Sequence, residues 1–191
     1  INALNKAWGT KFASWNALAD NRKAVKTNDK NRADYLEFNR GVIHKYYSNI
    51  RGAFDRLAPG VLYMGCRFVS NNYKREPIMR VAGYWCDVVT FNYYGAWEGS
   101  PELMKNIQNW LGDTPFVVTE WYAKGMDVWE KNPAIINKTG AGWTVRTQAD
   151  RGKFYQNYAL MLMECKGCVG FDWFKYWDND PTWEGADSSN I

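Results

Sequence analysis

The stretch Pro115-Phe116-Val117-Val118-Thr119-Glu120-Trp121-Tyr122 reads as a short buried strand that carries one carboxylate, Glu120, to its C-terminal end, with two aromatic rings directly behind it. Where strands alternate with helices, ligands bind and chemistry is done at that end. The rest of the chain is read for the partners it would set beside Glu120.

Outward from this stretch the alternation continues. Residues 168–174 (Cys-Val-Gly-Phe-Asp-Trp-Phe) form another strand pattern. Upstream, residues 61–68 and 86–91 are apolar on both faces, as buried parallel strands are. Helix patterns separate them. One covers residues 77–84; the next starts at Ser100-Pro101 and ends at Gly112. Another starts at Thr147-Gln148-Ala149-Asp150, a capping-box-like signal, and sets Phe154, Tyr158, Met161 and Leu162 on one side. The strongest periodicity spans residues 32–57, where Tyr35, Phe38, Val42, Tyr46, Ile50, Phe54 and Leu57 recur at spacings of three and four. Asn31 is its cap and Pro59-Gly60 its stop. Residues 1–30 read as a loosely patterned, exposed lead-in, in which Trp8 and Trp15 line a cleft or cover a neighbouring element. Residues 123–146 read as a long irregular segment of the kind that often carries function.

This order predicts an α/β fold with a parallel sheet and right-handed crossovers. Two architectures fit: an open doubly wound sheet, or an arc of an eight-stranded barrel. A complete barrel takes about 250 residues, so four strands in 191 residues read as the C-terminal half of one, forming a single partial domain. The chain begins at Ile1 without an initiator Met, which suggests an excised or incomplete piece.

Composition narrows the function. The formal charge is +4, and the densest basic stretch, residues 22–30, is broken by Asp29 and lacks interleaved aromatics, which argues against nucleic acid. No run of 18 apolar residues occurs, which argues against a membrane span. No Gly-rich phosphate turn follows a strand, so dinucleotide and P-loop readings drop out. Cys165 and Cys168 have CxxC spacing but close a helix and open a strand, and His44, the only histidine, falls on the polar side of its helix. Buried thiols follow, rather than a zinc or redox site. No pattern calls for a metal or cofactor. The outlying number is the aromatic content, 17% with 11 Trp and 12 Tyr, crowded near strand ends where flat rings form platforms for sugars.

The strands end in Arg67, in Asn92-Tyr93-Tyr94, in Glu120-Trp121 and in Asp172-Trp173, a polar, ring-lined set suited to a carbohydrate. Glycoside hydrolysis uses two carboxyl groups, about 5 Å apart in the retaining mode. Glu120 qualifies as one. Asp87 lies at the wrong end of its strand, and strand alternation leaves open whether Asp172 or Trp173 faces the pocket. Glu98, Asp127, Asp178 and Asp180 are loop residues suited to binding hydroxyls or shaping the mouth.

Gly65-Cys-Arg-Phe68, residues 88–94, Val118-Thr-Glu-Trp121, Arg151-Gly152 with Tyr155 and Tyr158, and the run from Val169 to Asp178 together resemble the C-terminal half of clan A glycoside hydrolases. The likeness is to bacterial β-agarases of the family 50 type and agarase-like proteins, and it covers most of residues 60–181. It implies that the four strands are the fifth to eighth of a (β/α)8 barrel, with Glu120 as retaining nucleophile and Tyr93 or Tyr94 hydrogen-bonded to it. Trp173 would floor the sugar subsite, Arg67 would sit near the nucleophile or substrate, and Asn92, Trp121 and Asp172 complete the candidate substrate-binding set. The acid/base Glu of such enzymes sits on the fourth strand, which would lie upstream of Ile1. The expected partner is therefore a galactan polysaccharide or oligosaccharide, with the N-terminal half or another chain covering the open barrel. The intact protein would be secreted or periplasmic, and this piece alone would lack efficient hydrolysis.

Overall fold

The computed structural model describes residues 1–183 apart from residues 24, 137, 139, 178, 179 and 181. Asp178 and Pro181 thus lie outside the described residues. The chain divides into two units, Ile1–Tyr46 and Tyr47–Ile191.

The first unit holds α1 (Asn2–Trp8), α2 (Trp15–Ala19) and the opening turns of α3 (Arg32–Leu57). Its start is more ordered than a lead-in. Asn5 closes the turn after α1, its Oδ1 accepting from Thr10 Oγ1 and Phe12 N and its Nδ2 donating to Phe12 O. Ser14 caps α2 by accepting from Ala17 N. Trp8 covers a neighbouring element: its ring stacks on Tyr35 at 5.6 Å and its Nε1 donates to Asp34. Asn31 is buried and accepts at its main-chain oxygen from Tyr35 N, while its side chain turns back to Asn28 N and Lys26 O.

Helix α3 has the boundaries its periodicity predicts, but Tyr47 is its one buried residue. Phe38, Val42, Tyr46 and Leu57 are exposed, and His44 is half-buried.

In the second unit, β1 (Arg67–Phe68), α4 (Glu76–Trp85), β2 (Val89–Asn92), α5 (Pro101–Leu111) and β3 (Phe116–Trp121) follow one another. Next come β4 (Ala123–Gly125), α6 (Met126–Lys131), β5 (Trp143–Val145), α7 (Gln148–Glu164) and β6 (Cys168–Trp173). The main sheet runs β1-β2-β3-β6, every neighbour parallel. Strand order follows chain order, without the reversal a doubly wound sheet needs. The fold class is therefore α/β with parallel strands.

Helices α5 and α7 start as the sequence predicts. Ser100 accepts from Leu103 N with Pro101 behind it, and Thr147 accepts from Asp150 N. The helices cover one face of the sheet, where Met79, Phe91, Ile107, Phe116, Val118, Phe154, Tyr158 and Leu162 are buried. Full burial of each such side chain contributes about 1.5–3 kcal/mol. None of the four cysteines forms a disulfide; burial raises the Cys86 thiol pKa to about 12 and that of Cys165 to about 11.

Two expectations are corrected. Residues 61–66 are not strand, and Val61 and Leu62 are exposed rather than buried. Gly65 breaks the strand: its φ of +66° is left-handed, and a Cβ there would lie 2.5 Å from Cys86 Sγ. The segment is held instead by Asp87, whose Oδ2 accepts from Tyr63 N and Arg51 Nη1 and whose main-chain N donates to Tyr63 O. These contacts, the Tyr63 amide foremost, pull the Asp87 pKa below its usual value. The second correction concerns residues 123–146, which are not irregular throughout but contain α6 and the parallel pair β4-β5. Strands of three residues are too short for periodicity to reveal, and they are fixed by tertiary contacts.

Candidate functional site

A bulge in β3 builds the site. Against β2, Phe91 pairs with Val118 but Asn92 with Glu120; against β6, Val118 pairs with Phe171 but Trp121 with Trp173. Both ladders thus place one extra residue in β3 at Thr119–Glu120. Bulges re-aim side chains and recur beside active sites. Here the bulge breaks the period of two, so Val118 and Trp121 both point to the helices while Glu120 takes the opposite face.

On that face Glu120 is 8% exposed. The Tyr94 hydroxyl donates to its Oε2 at 2.7 Å, and the Arg67 guanidinium pairs with its Oε1. Tyr94 follows the end of β2 and Arg67 opens β1, so successive strands supply the three groups. Tyr93 N donates to Glu120 O, fixing the backbone beside them. Asn92 is buried on the same face and accepts at Oδ1 from Thr119 Oγ1 at 3.0 Å. Beyond the carboxylate stand rings: Tyr94 lies edge-on to Tyr122 at 5.3 Å, and Tyr122 lies 6.3 Å from Phe174. A cavity of about 370 Å³ adjoins Tyr94 and Asn92.

Most other candidates fall elsewhere. Tyr93 is buried on the helix side, where its hydroxyl accepts from Ser100 N and its ring lies near Tyr73 and Tyr158, so Tyr94 is the residue that bonds Glu120. Trp121 is 1% exposed and stacks on Tyr158 at 4.5 Å, a core position. Trp173 meets Trp121, Tyr155 and Arg151, all on the helix side, whereas Asp172 is exposed on the alternate side of β6. Asp127 belongs to α6 and spends its Oδ1 capping α7 at Gln148 N; Asp180 bonds Thr182 within a turn; Glu98 is exposed. Tyr122 and Phe174 are the rings that the sequence reading missed. Each directly follows a helix-facing tryptophan, Trp121 or Trp173, and so turns to the opposite side of the sheet.

Fold and site define an α/β protein with a carboxylate, a guanidinium and a phenol converging at the C-terminal ends of parallel strands. No family model matches the chain. Over its full length it is 28% identical to β-agarase B of Vibrio sp. (strain JT0107), of which it spans 19%. The solved structure of BpGH50 matches 82% of this chain and 32% of its own at 39% identity, with a TM-score of 0.71. That of the agarase AgWH50C matches 99% of this chain and 25% of its own at 26% identity, with a TM-score of 0.81. The chain thus resembles β-agarases of the family 50 type in sequence and fold, and covers about a fifth of the length of the curated relative.

Proposed function

We propose that this chain is the nucleophile-bearing part of a retaining, β-agarase-like glycoside hydrolase that cuts β-linkages of a galactan, and that β1, β2, β3 and β6 are strands 5 to 8 of its (β/α)8 barrel. The observation that carries the reading is Glu120, held at both oxygens by Tyr94 and Arg67 at the C-terminal end of its strand. A nucleophile must sit in one orientation against the anomeric carbon, and two fixed contacts on a nearly buried carboxylate supply that.

In the first step Glu120 attacks the anomeric carbon as the bond to the leaving sugar breaks, and an acid protonates the departing oxygen. In the second, water displaces Glu120 from the same carbon, so the β configuration is retained. The acid/base would come from a strand earlier than β1. Tyr94 orients the carboxylate and withdraws its bond as charge leaves Glu120. Arg67, half exposed, reaches both the nucleophile and the mouth of the site. Tyr122 and Phe174 provide the apolar wall for the sugar face. A polysaccharide substrate places the enzyme's work outside the cytoplasm, with the intact protein secreted or periplasmic.

Glu120→Gln in the full-length protein tests this. The expected result is loss of agarose hydrolysis by at least about a thousandfold with the fold unchanged; unchanged hydrolysis would remove Glu120 from the mechanism.

A further inference from the structure

Lys124 stands two residues beyond the aromatic pair that follows Glu120, and its side chain is buried, the residue being 4% exposed. A buried ammonium is costly unless its donors are satisfied. Here Nζ donates to the carbonyls of Lys138 at 3.2 Å and Gly140 at 3.4 Å, both in the segment between α6 and β5. The same segment is pressed onto the site at its far end. Trp143 N donates to Tyr122 O, and Gly142 lies so close to the Tyr122 ring that a Cβ would come within 2.2 Å of it. Between these fixings Ala141 reaches the cavity beside Tyr94.

That cavity is walled by three chain segments: Ser70, Asn71 and Lys74 after β1, Asn92 and Tyr94 at the end of β2, and Ala141 just before β5. Its 370 Å³ falls in the range of small-ligand pockets. The lining offers hydroxyl, amide and ammonium groups, the chemistry that recognises a hydroxyl-rich neutral ring. Ser70 takes a φ of +55°, a conformation that costs a non-glycine residue energy and recurs where a binding loop is held in shape.

We propose that Lys124 is a positioning residue: its buried ammonium fastens the segment bearing Ala141, and the cavity thus closed holds a sugar ring of the substrate next to the bond cut at Glu120. This rests on the agarase reading for the identity of the sugar, but not for the fastening. Loss of the ammonium frees the Lys138 and Gly140 carbonyls, releases the third wall and weakens binding of that ring. Arg67 and Tyr94 hold Glu120 from β1 and the end of β2, so kcat should change far less than KM.

The test uses the full-length protein with Lys124→Met, and Lys124→Gln where the methionine variant does not fold. Ala141→Trp fills the cavity from an exposed position while leaving Lys124 alone. Tryptic cleavage after Lys138 under native conditions should quicken at least about tenfold in the Lys124 variants, since charge-assisted bonds are lost. With agarose-derived oligosaccharides, KM should rise about tenfold in the Lys124 variants and in Ala141→Trp, with kcat within about threefold, the pattern of lost ground-state binding. Unchanged tryptic cleavage overturns the fastening, and unchanged KM in Ala141→Trp overturns the sugar subsite. Absence of turnover by the wild type would instead count against the agarase reading, with the tryptic comparison still deciding the role of Lys124.

Discussion

Tyr94 and Arg67 hold different oxygens of Glu120, and their removal should be felt differently. Tyr94→Phe keeps the ring that meets Tyr122 and deletes the bond to Oε2. On the nucleophile reading, we expect kcat of the full-length protein to fall about ten- to a hundredfold with KM little changed, read by steady-state kinetics, because the contact would be made to the reacting group. Trp121 is a contrasting case. Its sequence position beside Glu120 suggests a substrate platform, yet the bulge sends it into the core between Tyr158 and Phe171. Trp121→Ala should therefore cost about 3–5 kcal/mol of stability by denaturant unfolding, as large core deletions do. The same bulge explains why Tyr93 and Tyr94 could not be told apart from sequence: which of two adjacent rings faces a carboxylate depends on a register that only the paired strands define.

Among the elements, α3, α5 and α7 were the most legible, because α5 and α7 carry side-chain caps at their starts and α3 a long repeat. Strand ends were less so. The segment before β1 looks like a strand from its apolar residues, but Gly65 turns it aside in a conformation only glycine accepts without strain. Gly65→Ala should destabilise the second unit by about 1–3 kcal/mol, since φ is left-handed and the new methyl meets Cys86. Asp87 then does the holding that a ladder would have done. Its pKa is lowered in the folded state, so its stabilising contribution is present at pH above the usual carboxylate value, about 4, and is lost as pH falls through the lower folded value. Asp87→Asn should accordingly be less stable by about 1 kcal/mol at neutral pH. Its unfolding free energy should depend less on pH below about 4 than the wild type's, a comparison made by urea titrations across that range.

For the molecule as a whole, the alternation of helices and strands was readable because each crossover helix carries its own apolar face, and the sheet then forms in chain order. The β4-β5 pair was not readable, since three-residue strands leave no period and Lys124 and Gly142 act through contacts distant in sequence. On the barrel reading, one face of the sheet carries Glu120 and awaits the acid/base from an earlier strand. The 191-residue chain by itself should therefore retain agarose-oligosaccharide binding but hydrolyse at least about a hundredfold more slowly than the full-length enzyme, in line with the loss of general acid–base help. The nucleophile assignment is met most directly by a 2-deoxy-2-fluoro galactoside with an activated leaving group, which lets the first displacement proceed and slows the second. Mass spectrometry of the trapped full-length enzyme should find the sugar on the peptide holding Glu120, at that side chain. A label on another carboxylate such as Asp172, or turnover with inversion and no label, would contradict the account.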